Sequence, residues 1–247
     1  MNTTLRRGWR LAAAALIGAG ALLAGCGSTP VAPKEITLAG VVVDGQRLAR
    51  ADESGLVGVY RNGAWVEGKA EMTLQVGDTV STGPNAYALI RYPSGSELYL
   101  RPNTRGQVGS FTDMVGEVFA KIRGAFAIQT SFVKAGADGT AYSVRSTPDG
   151  EYAVVVLDGT VRLSSLRAAW PAIALGPGTM GAGRPQVPPT AMPATAQELA
   201  RTRAWVERME QLLPPPSRYP GAGAALAVAG LVAIIAASSH DGGSGGL

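Results

Sequence analysis

Apolar residues in the middle of the chain recur at every second position, in short runs separated by turn-forming residues. Met72, Leu74 and Val76 alternate with polar neighbours up to Gly77-Asp78, and Ala88, Ile90 and Tyr92 do so up to Pro93-Ser94-Gly95. Leu98 and Leu100 are closed by Pro102-Asn103, Val118, Ala120 and Ile122 by Gly124, and Tyr142 and Val144 by Pro148-Asp149-Gly150. Val154 to Leu157 is a continuous apolar run ended by Asp158-Gly159, after which Val161 and Leu163 resume the alternation. A period of two places alternate side chains on one face of an extended chain. Strands this short, with turns about every ten residues, predict a mainly β fold and not a βαβ fold. The expected architecture is a sandwich or a compact solenoid-like stack, and the regular turn spacing favours the stack.

The flanks extend this pattern. Residues 36–64 read as a β lead-in, with Val41-Val42-Val43 before Asp44-Gly45 and Val57 to Tyr60 before Asn62-Gly63. Asn-Gly between apolar runs is a strong hairpin signal. The main β domain is expected over 65–175, and the Gly- and Pro-rich segment 176–194 reads as a semi-rigid linker. Residues 195–213 predict an amphipathic helix: Thr195 with Glu198 three positions on forms a capping box. Leu199, Val206, Met209 and Leu213 share one face, with Trp205 and Leu212 beside them. Its stripe is expected to bury against the β core rather than a neighbouring subunit. A Pro-rich linker, 214–220, stops the helix.

Residues 221–237 contain no charge and are expected to form an apolar membrane or packing helix, followed by a flexible Gly/Ser-rich tail, 238–247. Seventeen residues are at the lower limit for crossing a hydrocarbon layer.

The N-terminus carries the most specific signal. Arg6, Arg7 and Arg10 precede an apolar run from Leu11 to Leu23, the layout of a secretory signal over residues 1–25. The chain's only cysteine, Cys26, ends the tetrapeptide Leu23-Ala24-Gly25-Cys26, which resembles a bacterial lipoprotein lipobox. The resemblance implies acylation of the Cys26 thiol, with 26–35 as a tether and the membrane as one partner. Gly27, rather than aspartate, follows the cysteine and favours the periplasmic face of an outer membrane. The formal charge of +4 includes the three signal-peptide arginines, leaving 19 basic against 18 acidic side chains after processing. A nearly neutral chain lacks the basic footprint that nucleic acid requires. With one cysteine no internal disulfide can form.

Little in the chain supports catalysis. The single histidine, His240, lies in the tail, so no Ser-His-Asp set is expected. No histidine pair or spaced cysteine cluster suggests a metal, and no cofactor is expected. Asp78, Asp138, Asp149 and Asp158 each sit at a turn, where aspartate commonly accepts backbone N–H bonds.

The block from Trp65 to Leu166 resembles the FecR domain family of periplasmic sensors of ferric-dicitrate signalling. The likeness is carried by Leu74-Gln75-Val76-Gly77-Asp78-Thr79-Val80-Ser81-Thr82-Gly83 and the following Ala86-Tyr87-Ala88-Leu89-Ile90. Pro93-Ser94-Gly95-Ser96-Glu97-Leu98-Tyr99-Leu100, Gly139-Thr140-Ala141-Tyr142-Ser143-Val144 and Leu157-Asp158-Gly159-Thr160-Val161 continue it in order. Members that control sigma factors carry a cytoplasmic segment and a transmembrane helix ahead of this domain. Here a lipoprotein signal is expected in that place, so direct sigma-factor control is not implied. The resemblance implies a binding or scaffolding module with an envelope protein or glycan as partner. The alternative is a structural subunit of an envelope assembly that uses 195–213 and 221–237 to oligomerise.

Overall fold

The computed structural model describes residues 34–48, 56–167 and 169–213. Cys26, the signal segment and residues 214–247 lie outside the described residues, and with them the expected apolar helix at 221–237.

The alternating runs form strands, and every pairing between them is antiparallel. A curled main sheet is built around β1 (Ile36–Val43), β7 (Ala86–Arg91), β8 (Glu97–Leu100), β10 (Thr112–Lys121), β13 (Ala141–Ser146) and β14 (Tyr152–Asp158). These run in the order β14-β13-β10-β8-β7-β1, with the short β2 (Gln46–Arg47) beyond β1 and β5 (Met72–Leu74) on the same strand's other end. Along β7, Ala88 and Ile90 face one core while Leu89 faces another, as the period of two requires.

The second wall grows from the same strand. The first half of β10 turns away to pair with β9 (Arg105–Gln107), which continues through β6 (Thr79–Thr82) and β3 (Val57–Arg61) to β4 (Ala64–Glu67). Gly116 makes that corner at φ 106°, and a Cβ there would lie 2.5 Å from Thr104 Oγ1 and 2.6 Å from its Cα. Only glycine fits both demands. A third, four-stranded sheet holds β11 (Ala125–Gln129), β12 (Val133–Asp138), β15 (Val161–Ser165) and β16 (Ile173–Leu175).

The inner faces of all three sheets share one core, in which Leu38, Val59, Val80, Leu98, Val118, Tyr142, Val154 and Leu163 are fully buried. Tyr142 crosses it and donates through Oη to the Ala135 carbonyl at 3.3 Å. Layered antiparallel sheets are therefore what the chain forms of the two arrangements expected. In a solenoid each repeat touches only its neighbours, whereas here β1 pairs with β7 and β10 with β13.

Two segments differ from the sequence reading. The supposed lead-in, 36–64, supplies β1 inside the main sheet and β3 in the second wall. The supposed linker, 176–194, contains β17 (Thr179–Gly183) and β18 (Thr190–Pro193), which extend the main sheet from β14. Its glycines admit close packing: a Cβ on Gly181 would lie 2.9 Å from Leu175 Cδ1. Val76 is also not an inward strand residue but a 77% exposed turn residue, because β5 ends at Leu74.

The amphipathic helix forms as α1 (Ala196–Leu212), capped by Thr195, whose Oγ1 accepts the Glu198 N–H at 3.1 Å. Glu198 does not close the box but pairs with Arg145 and Arg201. The helix buries Trp205, Val206, Met209 and Leu213 against Val42, Leu89, Tyr99 and Phe119 on the outer face of the main sheet. Leu199 is only half-buried. Ion pairs fasten its rim, from Lys121 to Glu210 and from Arg201 to Glu117. Among the described residues no helix is long and apolar enough to cross a membrane.

Candidate ligand-binding face

With α1 on one face of the main sheet and the shared core on the other, the second wall keeps its outer face open among the described residues. Asn62 and Gly63, at φ 51° and 82°, form a two-residue turn that joins β3 to β4 and sets Tyr60 directly opposite Trp65. Register then carries the row across the wall, Tyr60 to Thr79, Thr79 to Gln107 and Gln107 to Thr112. Two residues along, Gly58, Ser81 and Arg105 make a parallel row. Between them the strands turn Val59 and Val80 inward, and Val57 beyond the second row does the same.

This face carries two of the few large apolar side chains left in solvent, Tyr60 at 41% and Trp65 at 54% exposure. Their ring centroids are 5.3 Å apart and the planes tilted by 54°. The Trp65 ring lies over Gly58, 3.0 Å from where a Cβ would stand. An open cavity of about 470 Å³ is lined by Tyr60, Trp65, Thr79, Arg105, Gln107 and Asp113. Gln107 is held at both ends: its Nε2 donates to the Gly77 carbonyl and its Oε1 accepts from Thr112 Oγ1, each at 3.2 Å. Asp113 lies in an irregularity of β10, between the Thr112 and Val115 pairings, at φ 51°. Such a bulge re-aims a side chain. Among the described residues, neither Arg105 nor Asp113 has an ion-pair or hydrogen-bond partner for its charged group.

The aspartates singled out from sequence have another role. Asp78 is buried and takes Arg61 Nε on both carboxylate oxygens, at 3.0 and 3.1 Å, with Arg61 Nη2 also on Oδ2. It accepts the Gln75 N–H at 2.7 Å, while Arg61 Nη2 donates to the Thr73 carbonyl at 2.9 Å. The Arg61 guanidinium holds the Asp78 carboxyl below the ordinary carboxylate range, against the opposing effect of burial. This pair ties β3 to the β5–β6 turn. Asp138, Asp149 and Asp158 are exposed. Among the described residues no cluster could hold a metal ion.

Sequence reasoning missed the aromatic face. Its local half was readable, because the Asn62-Gly63 turn alone makes Tyr60 and Trp65 neighbours. Thr79, Gln107 and Asp113 join only through pairings between distant segments.

The arrangement is that of a layered antiparallel β domain with an exposed aromatic face on its second wall. The model of the family described as FecR protein matches residues 78–162, so the chain from Asp78 to Arg162 is FecR-like. Two crystal structures of a candidate anti-sigma factor from Parabacteroides distasonis ATCC 8503 are similar to part of the chain. The one at 1.65 Å resolution is 18% identical with a TM-score of 0.44, covering 52% of this chain and 64% of that one. The other, at 2.50 Å, is 15% identical with a TM-score of 0.43, covering 54% and 73%. The chain thus spans less than two thirds of the first. No curated protein matches it significantly.

Proposed function

We propose that the protein is a lipid-anchored, non-enzymatic binding protein of the bacterial envelope, whose β domain, FecR-like over 78–162, engages its partner through the Tyr60–Trp65 face. The observation that carries this reading is that face itself, where exposed aromatics stand beside an unpaired guanidinium and an unpaired carboxylate. Exposed rings beside two hydrated charges that no protein group neutralises suit a surface that is covered on binding. The Leu23-Ala24-Gly25-Cys26 ending supports acylation at Cys26. Two acyl chains hold a protein stably, at about 0.8 kcal/mol for each buried methylene. A part in signal sensing is in keeping with the FecR match over 78–162. The alternative of a scaffold that assembles through 195–213 and 221–237 is weakened at the first segment, since the apolar stripe of α1 is covered by its own sheet.

The test is in cells. Cys26→Ala is expected to leave the protein unprocessed or released from membranes, and unchanged fractionation overturns the anchoring. A photo-crosslinking residue in place of Trp65 is expected to capture an envelope component, while one in place of Lys134 on the third sheet is not. Equal yields from both positions remove the binding face.

A further inference from the structure

The lining of the Tyr60–Trp65 cavity is selective enough to name a ligand class, an inference that rests on this face being the binding surface. We propose that it is a carbohydrate site, taking a run of pyranose rings from an envelope glycan.

The chemistry follows from what each group can offer. A pyranose ring has an apolar face of C–H bonds and an edge of hydroxyls, each both donor and acceptor. Trp65 and Tyr60 supply the only large apolar surface in the cavity, and Trp65 lies along the strand, where a sugar ring can stack on it. The rest of the lining is polar. Arg105 can only donate and an ionised Asp113 can only accept. Neighbouring hydroxyls satisfy both at once, and hydrogen bonds to charged groups are the stronger kind. Gln107, fixed by Gly77 and Thr112, offers its remaining amide capacity already oriented.

A protein partner fits less well. Tyr, Trp and Arg suit a protein interface too, but aspartate is depleted there, and covering Arg105 and Asp113 with apolar side chains would strand both. Among the described residues β4 has β3 as its one partner strand, but a peptide added at its free edge would lie beside the cavity, with β3 and β6 between it and Arg105 and Asp113. Hydroxyls, by contrast, replace the water on these groups without orphaning them. The cavity, at about 470 Å³, is within the 300–1,000 Å³ typical of small-ligand sites and is open to solvent.

The experiment uses the full chain in mild detergent and isothermal titration calorimetry, with chitohexaose, cellohexaose and purified peptidoglycan glycan strands as probes. Saturable binding of at least one probe is expected. Trp65→Ala and the pair Arg105→Met and Asp113→Asn are each expected to weaken it about tenfold or more. All three positions are exposed, so the variants should fold as the parent does, and unchanged circular dichroism checks this. Binding that survives all three substitutions overturns the proposal. So does the absence of binding to every probe. In that last case, protein adducts still formed from position 65 in cells would show that the face binds and only the ligand class was wrong. Loss of those adducts as well would remove the face.

Discussion

Replacing Trp205 with alanine tests whether α1 is a separable layer. Trp205 is 7% exposed and lies edge-on to Phe119, with ring centroids 6.2 Å apart and the Arg101 guanidinium 4.9 Å over the indole. A buried aromatic removes roughly 150–250 Å² from water. At about 25 cal/mol per Å² this is worth about 4–6 kcal/mol, and a realistic unfolded reference trims it to roughly 3–5. The cation–π contact adds about 0.5–1 kcal/mol. In the other direction, the indole Nε1–H is buried with no protein acceptor, which takes back about 1–3 kcal/mol. The net is close to 3 kcal/mol, or a shift of about a hundredfold in the docking equilibrium. Since the helix packs on a cluster distinct from the shared core, the loss should be local. Hydrogen exchange read by mass spectrometry is expected to show α1 amides opening about a hundredfold faster, with Leu98, Leu100 and Val118 still protected. Trp205→Phe removes the orphan donor and keeps most of the area, so it should cost about 1 kcal/mol or less. Unchanged exchange in α1 would refute the energetics. Equal loss of protection in the inner strands would refute the separability.

Three further outcomes follow from the same geometry. Asp78→Asn should destabilise by about 1–3 kcal/mol near neutral pH, measured by urea denaturation, because it strips the Arg61 pair of its charge. The folded carboxyl is depressed, so its contribution is complete above the ordinary range near 3.9 and disappears as pH falls through the folded value. The gap between parent and variant should therefore close in strong acid, and a gap that persists there means charge was not the cause. Gly116→Ala should cost about 2–4 kcal/mol in the same assay, from a positive φ and the clash with Thr104; a loss under about 1 kcal/mol would show that the corner can relax. Tyr60→Ala, on an exposed face, should change the melting temperature little while altering Trp65 fluorescence, whose insensitivity would contradict the ring contact.

Local chemistry was legible in the sequence, and long-range pairing was not. The inward residues Ala88, Ile90, Leu98, Leu100, Val118, Tyr142 and Val154 were readable because alternation is imposed by the pleat wherever one face is buried. The second core was harder to see: Leu89, Tyr99 and Phe119 occupy the alternate positions of the same strands, and only a docked helix makes them interior. Glycine misled at 176–194, where it permits a strand to lie close over Leu175 rather than a loop to bend. For the binding face, the Asn-Gly turn encodes the Tyr60–Trp65 pair, but Gln107 and Asp113 arrive through β9 and the bulge in β10, which no local pattern specifies.

The layering itself decides where a partner can bind. Over β1, β7, β8 and β10 the main sheet is closed on both faces, by α1 on one side and by the shared core on the other, while its β13–β14–β17 end keeps a cavity in which Glu151 and Arg184 pair with each other. The outer faces of the second and third sheets remain. Register places Gly136, Arg162 and Ala174 in one row of the third sheet, and Gln129, Lys134 and Ser164 in the next. Side chains of this kind offer hydrogen bonds but give no ring to stack on. The second wall has both, and its strands are tied back through Arg61 and Asp78, so the aromatic pair stands on a fixed support rather than a loop. Fixing side chains before the ligand arrives lowers the entropy lost on binding. Cutting the Arg61–Asp78 tie should therefore weaken ligand binding as well as stability, although neither residue lines the cavity.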